Sequence, residues 1–80
     1  MQRMHPNAAH RYQVLEYLYE RRAESPWQAW QSGADIAQAL GDSAFSLAVL
    51  NELGYLAHAG GRYRINAAGI LAYEAACTAE

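Results

Sequence analysis

The chain has 80 residues, a formal net charge of -2, and 52% hydrophobic against 18% charged residues. This length allows one small domain with a single core, and so apolar a composition predicts a folded chain. No apolar run approaches the roughly 20 residues that span a bilayer, and the first residues, MQRMHPNAAHRYQ, lack the apolar segment of a signal peptide, so we expect a cytoplasmic protein.

The first predicted helix runs from residue 7 or 8 to residue 24. Val14, Leu15 and Leu18 recur there at the helical period and should form one apolar face. The segment that follows, SPWQAWQS, contains Pro26, which ends the helix, and two tryptophans. We expect both tryptophans to cover the core from a loop or from a very short strand.

A second, short helix is predicted in SGADIAQALG. Ser32 is placed to cap its first turn, Asp35 can complete this cap from within the helix, and Gly41 ends it. Its inner face is expected to carry Ile36, Ala37 and Leu40.

A third helix follows after a turn of about three residues, which gives a helix-turn-helix over about residues 33–54. Asp42 or Ser43 can cap this helix, which runs through AFSLAVLNEL as far as Gly54. The helical period predicts that the core-facing side chains are Leu47, Leu50 and Leu53. The outer side is expected to carry Phe45, Ala48, Asn51 and Glu52.

The segment YLAHAGGRYRIN alternates like two strands of a hairpin around Gly60-Gly61, a dipeptide that favours a tight primed turn. We expect this hairpin over about residues 55–66. A two-residue loop predicts the pairs on one face, which are Leu56 with Ile65 and His58 with Tyr63. The opposite face then carries Arg62 and Arg64, with Ala57 and Ala59.

A fourth helix is predicted at the end of the chain. Asn66 can cap this helix, which should cover about residues 67–79. The side chains available for burial there are Ile70, Leu71, Tyr73 and Cys77.

This order of helices and hairpin is that of a winged helix-turn-helix domain. The segment GADIAQALGDSAFSLAVLNELGYLAHAGGRYRINAAGILAYEA resembles bacterial winged-helix regulators of the MarR and PadR type, LNELGYL being similar to the end of their recognition helix and YRINAAG to the close of their wing. We therefore expect an α+β fold over residues 1–80, with a three-helix core, a two-stranded wing and a C-terminal helix. The resemblance implies DNA binding, with residues 43–53 in the major groove and the wing beside the DNA backbone.

The distribution of charge bears on this implication. All six cations are arginines, and none lies between Ala23 and Gly61. The acidic residues of the same span are Glu24, Asp35, Asp42 and Glu52. A DNA-binding protein typically makes about 6–10 phosphate contacts, more than one protomer can supply from the expected surface. Because its charged residues are all acidic, the helix-turn-helix is negative, whereas the wing with Arg62 and Arg64 is positive.

In the first of two hypotheses, the chain is a small transcriptional regulator that binds duplex DNA weakly through Arg62 and Arg64 of the wing. Further cations would come from a dimer and from Arg11, Arg21 or Arg22. The neutral polar side chains that the third helix offers to DNA bases are Ser43, Ser46 and Asn51.

In the second hypothesis, the third helix docks a protein partner through its apolar and acidic outer side, around Phe45 and Ala48. The arginines of the wing would then meet acidic groups of that partner. A further alternative is that Phe45 packs against Trp27 or Trp30 of the same chain, and that the wing arginines are simply solvated.

The first and last helices carry more large apolar side chains than one short three-helix core easily covers, namely Tyr12, Tyr17, Tyr19, Ile70, Leu71 and Tyr73. We expect these two helices to form the interface of a homodimer, with Tyr12, Tyr19 and Tyr73 as interface residues. The resemblance to two-fold symmetric regulators implies the same assembly.

Enzymatic activity, a bound metal and a cofactor are not expected. His5 and His10 are five residues apart with a proline between them, a spacing that does not place two ligands on one helical face. The single cysteine, Cys77, is expected to be a helix residue of small apolar character. The sequence has no glycine-rich phosphate loop and no nucleophile beside a base at a recognisable spacing.

Overall fold

The computed structural model describes residues 4–78, which form four helices and one small antiparallel sheet. The elements in chain order are α1 (Pro6–Glu24), β1 (Gln31–Ser32), α2 (Gly33–Leu40), α3 (Ala44–Glu52), β2 (Leu56–Ala59), β3 (Arg62–Ile65) and α4 (Ala67–Thr78). The predicted α+β class is therefore confirmed, and the order of elements is compatible with a winged-helix fold. Two features of the sequence lie outside the described residues. They are Arg3, one of the six arginines, and residue 79, where the last helix was predicted to end.

The core lies along one face of α1, where the predicted residues Val14, Leu15 and Leu18 are buried. They pack with buried side chains from the other helices and from the two longer strands, which are Ile36, Leu47, Leu50, Leu56, Ile65 and Tyr73. Full burial of an aliphatic side chain of this size stabilises the folded state by about 1.5–3 kcal/mol. Because each helix and each of the two longer strands contributes only one to three such residues, the small domain depends on all of them.

The start of α2 has the predicted cap. Asp35 N donates to Ser32 Oγ at 3.0 Å, and Ser32 N donates to Asp35 Oδ2 at 3.2 Å. Gly41 ends the helix at a φ of 83°, in the left-handed region that favours glycine. The predicted inner face is wrong in one residue, since Ala37 is exposed and Leu40 is only half-buried. Because α2 has only eight residues, its inner face is short, and Ile36 is its one buried side chain.

The sheet has three strands in the order β1-β3-β2, and both neighbouring pairs are antiparallel. The predicted register is confirmed, with Leu56 opposite Ile65 and His58 opposite Tyr63. Gly60 and Gly61 have φ values of 56° and 73°, as a primed two-residue turn requires. The wing was expected to have two strands, but the very short strand β1 adds a third, and β3 lies in the centre.

Asn66 caps α4, as predicted, and also joins it to the end of α3. Gly69 N donates to Asn66 Oδ1 at 2.9 Å, while Asn66 Nδ2 donates to Gly54 O at 2.7 Å. The first turn of α4 thereby packs closely against the chain that leaves α3. A Cβ atom at Gly69 would meet the backbone oxygen of Tyr55 and would lie 2.7 Å from Ile65 Cγ1.

Substitution of Gly69 tests this close packing. We expect Gly69→Ala to lower the free energy of unfolding by about 1–3 kcal/mol, because the added methyl group has no space and must displace backbone. Urea denaturation followed by circular dichroism measures the change. The matched control is Gly33→Ala in the first turn of α2, where the new Cβ has no neighbour within 4 Å. An equal loss of stability in both variants would contradict the close approach at Gly69.

Candidate functional site

The two serines of the α3 region face the interior. Ser43 and Ser46 are only 3% and 2% exposed, because they share a helical face with the buried Leu47 and Leu50. Ser43 Oγ also donates to Gly41 O at 2.9 Å and lies 3.0 Å from His10 Nε2 of α1. Neither serine is accessible to a DNA base in this arrangement, which removes both from the predicted set of base-contacting residues.

The opposite side of α3 is exposed and largely apolar. We call Phe45, Ala48, Asn51, Glu52 and Leu53 the outer face of α3; all of these residues are exposed. Phe45 is 61% exposed and Leu53 is 55% exposed. The alternative in which Phe45 is covered by a tryptophan of the same chain is therefore not what the structure contains.

Leu53 was predicted to face the core, and that prediction is wrong. The regular helix ends at Glu52, and Leu53 occupies the cap position, with its N–H bonded to Val49 O at 2.9 Å. The chain then reverses at Gly54, which has a φ of 81°. This reversal leaves the Leu53 side chain at the surface, one helical turn beyond the buried Leu50.

Carboxylates stand at both ends of α3. Asp42 Oδ1 accepts a hydrogen bond from Ala44 N at 3.1 Å, so Asp42 caps the helix, whereas the Ser43 side chain does not. Glu52 lies in the last turn, and within residues 4–78 neither carboxylate forms a salt bridge. Because α3 itself carries no cationic side chain, its outer face is apolar with acidic ends.

The two arginines of β3 share a sheet face, as predicted, but differ in exposure. The guanidinium carbon of Arg64 lies 4.7 Å from the centre of the Trp30 ring, and Nη1 donates to Trp27 O at 3.1 Å. Arg64 is therefore half-buried and held by the loop that precedes β1. Arg62 lies next to the turn and is exposed. The sheet thus presents one open arginine to solvent where the sequence predicted two.

The arginines near the end of α1 also have internal partners. Arg22 Nη1 donates to Ile65 O at 2.7 Å, and Arg22 Nε donates to Pro26 O at 3.2 Å. Arg21 forms a salt bridge of 3.1 Å with Glu24. Arg11 is half-buried on α1. Arg22 therefore holds α1, the loop and β3 together, whereas Arg21 is paired within α1.

The tyrosines predicted to form a dimer interface contact one another within the chain. The ring centre of Tyr73 on α4 lies 5.3 Å from that of Tyr12 and 4.7 Å from that of Tyr19, both on α1. Tyr73 is buried, and the other two are half-buried. α4 thus covers α1 of the same chain, so Tyr73 is not open to a second copy, whereas Tyr12 and Tyr19 stay partly accessible. A homodimer stays a prediction.

Hydrogen bonds complete this tyrosine cluster. Tyr73 OH donates to Glu16 Oε2 at 3.1 Å, Tyr19 OH donates to Glu74 Oε2 at 2.6 Å, and Tyr12 OH lies 3.1 Å from the thiol of Cys77. The neighbouring Cys77 thiol, burial and the Glu16 carboxylate raise the pKa of Tyr73 far above its usual value. The bond to Glu74 likewise raises the pKa of Tyr19. These hydroxyls therefore keep their protons at neutral pH.

Leu71 and Cys77 of α4, which were predicted to be available for burial, are exposed. Two further surface residues, Trp27 and Leu53, were assigned to the core from the sequence. Trp27 is 85% exposed, whereas Trp30, three residues later, packs under Arg64. The sequence does carry a sign of exposure for each, because Trp27 follows Pro26 in a turn and Leu53 directly precedes a glycine.

The described residues contain neither a cluster of metal ligands nor a helix that could cross a membrane. Within residues 4–78 no three histidine, cysteine or acidic side chains come together in a way that could hold a metal ion. Among the same residues, none of the helices combines the length and the apolar character that crossing a bilayer requires.

Comparison of the chain with protein-family models, with curated proteins and with solved structures gave no match. The winged-helix family assignment accordingly stays a prediction. The exposed features within residues 4–78 include the outer face of α3, Arg62, Trp27 and, on α4, Leu71, which is 67% exposed.

Alkaline unfolding tests the tyrosine cluster. The free energy of unfolding should be constant up to about pH 10 and fall above it, because tyrosines of the unfolded chain lose their protons near this pH while Tyr73 in the folded chain retains its proton. Tyr73→Phe removes this proton, so its stability should fall less steeply with pH. Urea titrations between about pH 8 and 11 measure both slopes, and Tyr63→Phe controls for loss of a tyrosine on the sheet. Equal slopes for wild type and Tyr73→Phe would contradict the raised pKa.

Proposed function

We propose that the chain is a winged-helix module that binds a protein partner through the outer face of α3. The observation that carries this proposal is the exposure of Phe45 and Leu53, at 61% and 55%, on a helix without cationic side chains. In a winged helix, this is the helix whose outer face meets the partner molecule. Here, that face suits an apolar partner surface better than a charged one.

The chemistry of the face is that of a protein interface. Exposed aromatic side chains supply most of the binding energy at such interfaces, and the centres of interfaces are poor in charge. Burial of Phe45 against a partner would contribute about 1.5–3 kcal/mol by loss of apolar surface alone. Ala48 is small and lets a partner approach the helix closely, while Asp42 and Glu52 would form a polar rim that selects a partner with basic groups.

The same face is unsuited to duplex DNA. Phosphate contacts by Lys and Arg provide most of the affinity of a DNA-binding protein, at about 6–10 contacts per site. Asp42 and Glu52 would instead repel phosphates, and Arg64 would have to leave Trp30 and the carbonyl of Trp27 to make a contact. The accessible polar residue of the predicted base-contacting set is Asn51.

A DNA-binding regulator is the second candidate, because Arg62 is exposed beside the Gly60-Gly61 turn, where a wing would meet a phosphate. With one exposed arginine among residues 4–78, binding of duplex would be weak and would depend on dimerisation. The two candidates differ in the residues that matter, since Phe45 serves the first and Arg62 serves the second.

Site-specific crosslinking tests the docking function. Benzoylphenylalanine placed at Phe45 or at Leu53, in cells that express the protein, should give the same discrete protein adduct from both positions on irradiation. The same photoreactive residue at Glu20, an exposed position on α1, should not give this adduct. Addition of Ala48→Arg should abolish the adduct, because a long charged side chain would block a close apolar approach. Adducts that nuclease removes, or an adduct that forms equally from Glu20, would contradict docking.

A duplex titration separates the two candidates independently. Fluorescence anisotropy with a labelled duplex of about 20 base pairs, at about 50 mM salt and tens of micromolar protein, should detect no binding to the wild type. If duplex DNA is instead the partner, the wild type binds, its affinity falls steeply with salt, and Arg62→Glu abolishes binding. Phe45→Ala is the matched control, since an apolar side chain neutralises no phosphate.

A further inference from the structure

The loop between α1 and β1 borders a polar groove that the docking function does not use. The groove has a volume of about 440 Å³ and is lined by residues 25 and 27–31 of the loop and by Arg62 of β3. This volume falls in the range of about 300–1,000 Å³ that is usual for sites of small ligands. It is therefore large enough for one nucleotide-sized group.

Trp27 stands at the edge of this groove with its indole ring in solvent. Its exposed fraction of 85% exceeds that of Phe45, which is 61%. An indole exposed to this extent contributes little to the core, although tryptophan is among the most apolar side chains that a small domain has for burial. The ring is thus a flat, accessible aromatic surface next to a polar cavity.

The backbone that carries Trp27 is held on both sides. The carbonyl of Pro26 accepts from Arg22 Nε at 3.2 Å, and the carbonyl of Trp27 accepts from Arg64 Nη1 at 3.1 Å. Gln28 N donates to Ser25 O at 3.1 Å, which closes a turn around the tryptophan. The exposed ring is therefore attached to a loop that α1 and β3 fix in place, so a ligand would not have to order this loop.

The charge of the groove is positive. Its lining includes the exposed Arg62 and no carboxylate. The nearest acidic residues along the chain are engaged elsewhere, since Glu24 pairs with Arg21 and Asp35 caps α2 through Ser32. A ligand that suits the groove therefore combines a flat ring with a negative charge and with groups that hydrogen-bond to Ser25 or Gln28.

We propose that this groove binds an unpaired nucleotide of single-stranded nucleic acid, with the base stacked on Trp27 and a phosphate on Arg62. Stacking on an aromatic side chain accepts any base, because every base has a flat face. A duplex keeps its bases inside the helix, so it cannot present one to Trp27. Binding of one nucleotide needs one or two cations, whereas duplex binding needs several. The single exposed arginine of the groove, Arg62, therefore suits a nucleotide better than a duplex.

The groove is separate from the outer face of α3, and nucleotide binding there does not depend on the docking function. A proline-rich peptide is the other occupant that a tryptophan at a groove can accept. The positive charge and the polar lining favour the nucleotide, because a proline-rich segment carries neither phosphate nor a matching charge. Binding of a proline-rich peptide instead of a nucleotide is therefore an outcome that would contradict the proposal.

Titration of a short single strand tests the site. Fluorescence anisotropy of labelled oligothymidylate of about ten nucleotides, at about 50 mM salt, should show saturable binding to the wild type at submillimolar protein, with weaker binding of a duplex of equal length. Trp27→Ala should lower the affinity by about tenfold or more, while Trp27→Phe should retain part of it. Arg62→Gln should weaken binding and reduce its salt dependence.

Controls keep folding and binding apart. Phe45→Ala removes an exposed aromatic ring on α3, outside the groove, and should leave the affinity for oligothymidylate unchanged. Urea denaturation checks that Trp27→Ala folds like the wild type. Absence of saturable binding to the wild type, or equal affinity of wild type and Trp27→Ala, would overturn the proposal. So would tighter binding of the duplex, or an indole shift of Trp27 in NMR spectra with a polyproline peptide but not with oligothymidylate.

Discussion

The rotation of α3 about its own axis decides which of its side chains meet a partner. Leu47 and Leu50 pack into the core that α1 provides, and the helical period then turns Ser43 and Ser46 inward with them. The contact between Ser43 Oγ and His10 Nε2 joins the start of α3 to α1. Once this face is buried, the opposite side, with its phenylalanine and its acidic ends, is the side left for function.

The arginines likewise fall into two groups, those that bond within the fold and those that are exposed to solvent. Arg22 and Arg64 hold the loop before β1 against α1 and β3, so two of the six arginines support the fold. The exposed surface of residues 4–78 includes two dissimilar regions, an apolar face with acidic ends on α3 and a polar groove with Arg62 and Trp27. Their chemistry suits different classes of ligand, and for this reason we assign them separate roles.

Local patterns predicted much of the fold, because they depend on neighbours in sequence. The face of Val14, Leu15 and Leu18, the hairpin register set by the two glycines, and the caps at Ser32 and Asn66 all belong to this group. The exposure of site residues depends on distant contacts. Arg64 is held by a carbonyl 37 residues earlier in the chain, and Tyr12 lies 65 residues before its thiol neighbour. No periodicity within one segment could reveal either contact.

The orientation of α3 determines the proposed docking face, and the reactivity of single cysteines measures this orientation most directly. In a Cys77→Ser background, which removes the exposed native thiol, Phe45→Cys, Ala48→Cys and Ser46→Cys each place one thiol on α3. We expect fast modification by a soluble thiol reagent at positions 45 and 48 and strong protection at position 46, where serine and cysteine have nearly the same shape. A thiol at position 46 that reacts as fast as one at position 45 would show that α3 has another rotation, and would contradict the assignment of its outer face.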